Sequence, residues 1–320
     1  MRALVSFGGN FALTKPRTLH AETALRTLDF FVMTELFMTP SAQEADLILP
    51  VASCWEREGL QSGFMVSEAA EHWLQLRPAV VAPHGESRSD NEIIFALAKR
   101  LRLGGEFFAG DLEAGLRHQL EPTGIPPEAL RASPRGVAIS GQSSYRKYRS
   151  RGFATPSGRV ELFSQRLQQI GNDPLPGHQP SMMSPGARPD LASQYPLRLT
   201  CAKWPQFCHS QQRQIAALRH AMPEALVEIH PAAAAARGIG DGDRIAITTP
   251  HGRFFAHARL SSNQAIDLVC AQYGWWLPET AEPTSYNAAI DGEILDPLSG
   301  SNGLKTYLCE ARAASASNKQ

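Results

Sequence analysis

The stretch of this 320-residue sequence best equipped for chemistry runs from Thr200 to Arg213, Thr-Cys-Ala-Lys-Trp-Pro-Gln-Phe-Cys-His-Ser-Gln-Gln-Arg. Lys203, His209 and Arg213 offer positive charge, while Thr200, Ser210 and Gln211 add neutral hydrogen-bonding groups. Cations among neutral donors suit a pyrophosphate attached to a polar heterocycle. A polar loop with a satisfied histidine has the same composition, so both readings stand. Gly8-Gly9-Asn10 is a second candidate, since glycines let a ligand approach backbone amides that donate to anionic oxygens. An ordinary strand-end turn looks alike, and the third glycine of a dinucleotide fingerprint is lacking. Glu35 could accept from a ribose hydroxyl or a guanine N–H edge, or be a solvated loop carboxylate. Tyr273-Gly274-Trp275-Trp276 could stack on a flat cofactor or simply pack in a core. Asn287 and Lys305 are polar groups in a loop-rich region, neither specific singly. No nucleophile elbow, P-loop, HExxH or paired metal-binding histidines occur, so no catalytic or metal-ligating residue is assigned.

These residues need elements to hold them. Residues 3–7 form an apolar run that stops at Gly8-Gly9, which predicts a buried strand and a turn. A helix around 19–28, a strand over 30–34, a short helix near 41–45 and a strand over 47–49 follow. Strands alternating with helices imply a parallel sheet in an α/β layer. Ser89-Asp90-Asn91-Glu92 has capping-box spacing and opens a helix that ends before Gly104-Gly105. Residues 111–152 are rich in Pro, Gly and Arg and leave their regular structure undecided, and 159–163 read as a strand leading to a short helix. The clearest linker is 172–196, with prolines at 174, 176, 180, 185, 189 and 196 and one apolar pair, Met182-Met183. Beyond it the pattern is β-rich. Strands are predicted over 197–200, 226–229, 244–249, 254–259 and 265–272, with an alanine-rich helix before Gly238 and a hairpin turn at 250–252.

Composition narrows the classes. Hydrophobic residues make up 43% and charged residues 19%, enough for a real core, and the length suits about two domains. Lys plus Arg and Asp plus Glu are 31 each, so no bulk field argues for nucleic acid or an anionic membrane. An anionic ligand must then be held by a few placed cations and amides. The 5 cysteines are widely spaced with no C-x-x-C pair, which argues against a disulfide scaffold, a zinc site or an iron–sulfur cluster and for inert thiols. No uncharged run is long enough for a membrane span.

In order along the chain, these segments resemble the molybdopterin oxidoreductase family, which includes formate dehydrogenases, nitrate reductases and dimethyl sulfoxide reductase. Glu35-Leu-Phe-Met-Thr39 running into Ala45-Asp46-Leu-Ile-Leu-Pro50, then Glu58-Gly59, looks like one family segment. Thr200 to Arg213, Val227-Glu-Ile-His-Pro231, Gly238-Ile-Gly-Asp-Gly-Asp243 and Asn287 through Ser299-Gly300 are similar to its C-terminal dinucleotide-binding domain. Lys203, Cys208-His209-Ser210-Gln211 and Trp275-Trp276 look most like the thiosulfate/polysulfide reductase and acetylene hydratase branch.

The resemblance implies a partial parallel α/β sheet over 1–171, the linker, and a six-stranded β-barrel over 197–320 that closes on the cofactor. That cofactor would be molybdopterin guanine dinucleotide with molybdenum or tungsten. Gly9, Asn10, Glu35 and Thr39 would face one nucleotide end. Thr200, Lys203, His209, Ser210, Gln211, Asn287 and Lys305 would contact a pterin or its phosphates. Two departures matter. Ser67-Glu68-Ala69-Ala70 stands where many members have a Glu-Gly-Arg-type segment, and Lys203 stands where many carry Arg, which removes bidentate phosphate binding. The family's metal ligand and any iron–sulfur cysteines are expected in an upstream half or separate subunit, and the redox partner is not indicated. The first hundred or so residues are accordingly expected to expose strand edges and an apolar face. The cytoplasm is the default compartment. A non-catalytic stand-alone cofactor-binding or interaction module is the alternative.

Overall fold

The computed structural model describes residues 1–63, 67–139, 145–175, 177–276 and 283–314. By contact the chain groups into two compact units, residues 1–49 with 179–320, and residues 50–178. This is not the division expected at 172–196. The N-terminal residues Leu13, Thr14 and Arg17 hydrogen-bond to loops of the last third and so group with them.

The apolar runs at the start form β1 (Ala3–Phe7), β2 (Phe30–Glu35) and β3 (Leu47–Pro50), in the order β1-β2-β3. Helices α1 (Phe11–Thr14), α2 (Thr18–Arg26) and α3 (Pro40–Gln43) lie between them. β1 and β2 are parallel, in register from Ala3↔Phe30 to Phe7↔Thr34. Ala12, Leu25, Phe31, Met33 and Ala42 make a small core. Ser6 is buried, whereas Val5 and Phe7, on the opposite side of the same strand, are 52% and 43% exposed.

The second unit holds β4 (Gly59–Gln61), β5 (Trp73–Arg77) and β6 (Val137–Ala138), antiparallel in that order. Its helix Asp90–Arg100 starts at the capping box: Ser89 Oγ accepts from Glu92 N at 3.2 Å, and the Glu92 carboxylate accepts from Ser89 N at 2.7 Å. One stretch that the sequence left undecided is resolved here, and one expectation is corrected. The 111–152 stretch contains helices Leu112–Leu120 and Pro127–Arg131, with 140–144 outside the described residues. Asp111 caps the first by accepting from Glu113 N and Ala114 N, and Leu120 and Leu130 pack on Leu74 and Leu76. The i, i+4, i+8 leucines 112, 116 and 120 carried that signal beneath the Pro and Gly density. Conversely, 159–163 is irregular. Val160 and Leu162 are exposed there, and no described strand pairs with them, so the apolar run has no ladder to join.

The third region is a closed barrel of β7 (Leu197–Ala202), β8 (Leu226–Ile229), β9 (Arg244–Thr249), β10 (Gly252–Leu260), β11 (Leu268–Gln272) and β12 (Tyr307–Ala313), in the order β10-β8-β11-β7-β12-β9. β7 with β11 and β8 with β10 are parallel, while β9 with β10 is an antiparallel hairpin. Alternation along each strand sends Leu199, Val227, Ile229, Ile245, Ile247 and Val269 into the interior. The fold is thus an α/β region with a partial parallel sheet, followed by a six-stranded barrel, as the resemblance implied. Among the described residues no helix is long and apolar enough to cross a membrane.

The linker is more than a surface tether. Met183 is 2% exposed in the barrel core, and its carbonyl accepts from Leu308 N at 3.0 Å, whereas Met182 is 46% exposed. Replacing Met183 by Ala therefore lowers unfolding free energy by about 2–5 kcal/mol in a urea titration. Met182→Ala changes it by no more than about 0.5 kcal/mol. Equal losses would contradict the assignment of Met183 to the core.

Candidate functional site

Cys270↔Thr200 and Gln272↔Ala202 are register partners of the parallel β7–β11 pair. Parallel neighbours in register release their following loops at the same end, so the loop after Ala202 must lie beside the loop after Gln272. The two sequence candidates meet there. Trp276 Nε1 donates to Ser210 O at 2.9 Å, and the rings of His209 and Tyr273 stand edge to face at 5.4 Å. Gly274 has φ +72°, and a Cβ there would lie 2.6 Å from the carbonyl carbon of His209 and 2.8 Å from Ser210 N. Only glycine admits so close an approach in that conformation. Trp275 and Trp276 are buried, so the aromatic run is packing that backs the His209 turn rather than an open stacking face.

Under the turn lies Arg213, a cation of that stretch to which the resemblance assigned no contact. It is 1% exposed, with its guanidinium 3.9 Å from the Phe207 ring centroid and 4.6 Å from that of Trp275. Its Nη2 donates to His209 O at 3.1 Å. Lys203, His209 and Gln211 are exposed on the other side, with Thr200 and Ser210 half-buried. Lys305 is exposed nearby: burial pushes the Cys270 thiol up to about 11 and Glu228 adds to that, while the Lys305 ammonium pulls it back. Cys201 Sγ donates to Leu304 O at 3.8 Å on the same side. The expectation of buried thiols holds for Cys270 and Cys309, whereas Cys54 and Cys208 are exposed.

The other predicted cluster sits at the C-terminal edge of β1 and β2, again because they are parallel and in register. Gly8 and Gly9 have φ +69° and +96°, and Gly8 N donates to Thr34 O at 2.9 Å. Asn10 is buried. Its Oδ1 accepts from Ser41 Oγ at 2.9 Å and from Ser41 N at 3.3 Å, and Ser41 Oγ accepts from Ala12 N at 2.9 Å. Asn10 and Ser41 thus lock the starts of α1 and α3 together, a role the sequence did not reveal for Ser41. Thr39 is buried as the N-cap of α3, its Oγ1 accepting from Ala42 N at 3.2 Å. Glu35 is half-buried and accepts from Leu36 N at 2.8 Å.

Two bridges join this edge to the barrel loops. Tyr273 donates its hydroxyl to Thr14 O at 3.3 Å, and Thr14 N donates to Asn10 O at 2.8 Å. Asn287 is fully buried, donates from Nδ2 to Leu13 O at 3.0 Å, and accepts at its carbonyl from Arg17 N at 2.9 Å. Its side chain is therefore spent largely on holding the two clusters together. Asn10 Nδ2 and Asn287 Oδ1 are buried without a partner, which fits a polar ligand reaching this seam. The outward cations and amides at Lys203, His209 and Gln211 fit its phosphates. Glu35 and Thr39 stay on the sheet side. Among the described residues no group of three or more His, Cys, Asp or Glu could hold a metal ion.

A cleft of about 1090 Å³ lies within the other unit. Its lining includes Glu56, Glu58, Glu92 and Glu113 against Arg57 and Arg77, and none of the predicted site residues. A wall with more carboxylates than cations suits a phosphorylated ligand poorly.

With this geometry in view, the similarities to known proteins are specific. Residues 2–100 match the profile of molybdopterin oxidoreductases, and residues 197–308 that of the molydopterin dinucleotide binding domain. Acetylene hydratase of Syntrophotalea acetylenica is 29% identical over 280 residues, covering 87% of this chain and 38% of that protein. The assimilatory nitrate reductase catalytic subunit of Bacillus subtilis is 30% identical over 98% of this chain and 42% of its own length. The solved structure of acetylene hydratase from Pelobacter acetylenicus superposes with a TM-score of 0.87 at 27% identity, covering 98% of this chain and 44% of that one. The chain belongs to the molybdopterin oxidoreductase family, in its dimethyl sulfoxide reductase-like group. It spans about two fifths of the length of these relatives.

Gly274 tests the packed turn. Gly274→Ala forces a methyl group into the His209 carbonyl and strains a positive-φ backbone, at a cost of about 1–3 kcal/mol. Thermal unfolding followed by tryptophan fluorescence should show a drop of several degrees. An unchanged melting curve would mean the loops are not in contact.

Proposed function

We propose that this chain cradles the molybdopterin guanine dinucleotide of a molybdenum- or tungsten-dependent oxidoreductase. The observation that carries the reading is the joining of the Lys203–Gln211 loop to the Gly9–Asn10 edge through Tyr273 and Asn287. When bound, the cofactor supplies the metal-centred chemistry, and the protein contributes binding, orientation and electrostatics. Lys203 and His209 meet the phosphates, Lys203 as a point charge rather than a bidentate fork. Ser210, Gln211 and Thr200 serve polar edges of the pterin, with Lys305 adding charge. Gly9 leaves backbone open to the nucleotide, and Asn10, Thr39 and Asn287 hold the seam in shape. Glu35 is suited to a ribose hydroxyl or the guanine edge.

Similarity to acetylene hydratase supports placement in that branch, with the thiosulfate and polysulfide reductases. The metal ligand, and an iron–sulfur cluster if there is one, fall to an adjoining half of the enzyme or a separate subunit. The support for such a neighbour is the exposed apolar side of the first sheet, where Val5, Phe7, Phe30 and Leu47 are each more than two-fifths open.

Isolated from cells that make the cofactor, the chain should carry oxidisable fluorescent pterin and release GMP on acid hydrolysis. Lys203→Ala combined with Gln211→Ala should cut pterin content about tenfold, the order of two lost charge-assisted or neutral hydrogen bonds. Pterin-free protein, alone and with its adjoining half, would overturn the proposal.

A further inference from the structure

Arg213 poses a physical problem that cofactor binding as outlined does not solve. It is among the largest fully buried side chains, yet among the described residues no carboxylate lies within ion-pair reach. Nε and Nη1 are buried with no hydrogen-bond partner, and Nη2 is shared between His209 O at 3.1 Å and Tyr273 O at 3.5 Å. Phe207 and Trp275, whose rings stand edge to face at 84°, both contact the guanidinium, and such cation–π contacts offset part of the cost of burying charge without supplying a counter-ion. Burial holds its pKa down to about 10. A buried cation lacking its counter-charge is costly, and such costs persist where a ligand uses them.

The ligand side is set by the backbone. The carbonyls of His209 and Ser210 both turn inward, to Arg213 and Trp276. A trans peptide points its N–H opposite its C=O, so the Ser210 N–H faces away from Arg213. His209 and Gln212 both hold positive φ, at +53° and +68°, which only a tightly held turn sustains. The guanidinium therefore polarises the His209–Ser210 peptide from beneath, with the exposed His209 and Gln211 side chains above.

We infer that Arg213 is a positioning residue, the internal counter-charge for a phosphate-bearing ligand seated on the outer side of the His209–Gln211 turn. It acts through the turn, not by contact. The inference rests on the phosphate-binding role proposed for that loop and adds the residue that charges it.

The test uses the full chain with inorganic pyrophosphate as probe, read by thermal unfolding at fixed ionic strength against sulfate. Wild type should gain stability from pyrophosphate beyond the sulfate control. Arg213→Met should lose that gain, its apparent affinity falling about tenfold, the order a single charge exerts across a few ångströms of protein. Its ligand-free melting temperature should be equal or higher, because an uncompensated buried charge has been removed. Arg213→Lys should restore most of the response. Should the Met variant not fold, Arg213→Gln, which keeps a donor for His209 O and loses the charge, gives the same comparison. A pyrophosphate response that survives charge removal overturns this inference alone. A charge-free variant that melts lower and is not rescued by Lys shows a merely structural clamp and also overturns it. Wild type that responds no better than to sulfate defeats the phosphate-binding role itself.

Discussion

Parallel, in-register pairing is the constraint from which the candidate site follows. β7 and β11 run side by side with Thr200 opposite Cys270, and β1 and β2 do so with Phe7 opposite Thr34. In each pair the chain must leave both strands at the same end. Hydrogen-bond geometry alone therefore brings residues 203–213 against 273–276, and Gly8-Gly9-Asn10 beside Glu35. An antiparallel partner in either place would have sent one loop of each pair to the far end. The polar side chains of both loops would then never have shared a surface.

What stabilises the barrel loop also makes it expensive. Two non-glycine residues in the left-handed region, a glycine packed within contact of a carbonyl, and a buried guanidinium against two aromatic rings are each costs to an isolated fold. They coincide where the His209 turn meets the loop after β11. The barrel beneath supplies the rigidity that tolerates them, since its interior is filled by Leu199, Val227, Ile247 and Val269 with almost no exposure. Buried asparagines hold the seam between the barrel loops and the first sheet, each with one polar atom still unmatched. The site is rigid and polar, and it is not self-satisfied.

The same logic separates the two ends of the first sheet. Its helix-covered side has a compact core of Phe31, Met33 and Leu25, while Val5 and Phe7 stand open on the other. Crossover helices normally cover both faces of a parallel sheet, and here Val5 and Phe7 of the edge strand remain open although Val32 and Thr34 on the same face of β2 are buried. The chain spans about two fifths of the length of its relatives.

Periodicity and turn chemistry in the sequence sufficed for the parallel strands at the start, the capping box at Ser89–Glu92 and all barrel strands but β12. These are local signals, written in residues a few positions apart. β12 escaped because its approach through 287–306 carries no turn-plus-alternation pattern, and its pairing partners, β7 and β9, lie far away in sequence. The helices at 112–131 were hidden by proline and glycine, of which Pro122, Gly124, Pro126 and Pro127 sit at or between their ends while Gly115 lies inside the first. Residue types marked Lys203, His209, Ser210 and Gln211 as ligand-capable, and their order with Glu35 and Thr39 indicated the family. Sequence could not show that Thr39 is a helix cap, that Asn287 is a fully buried bridge, that Met183 is core, or that Arg213 is a charge without a partner. Each of those depends on which distant atoms a side chain meets and on whether water can reach it, and burial and pairing are properties of the folded chain alone.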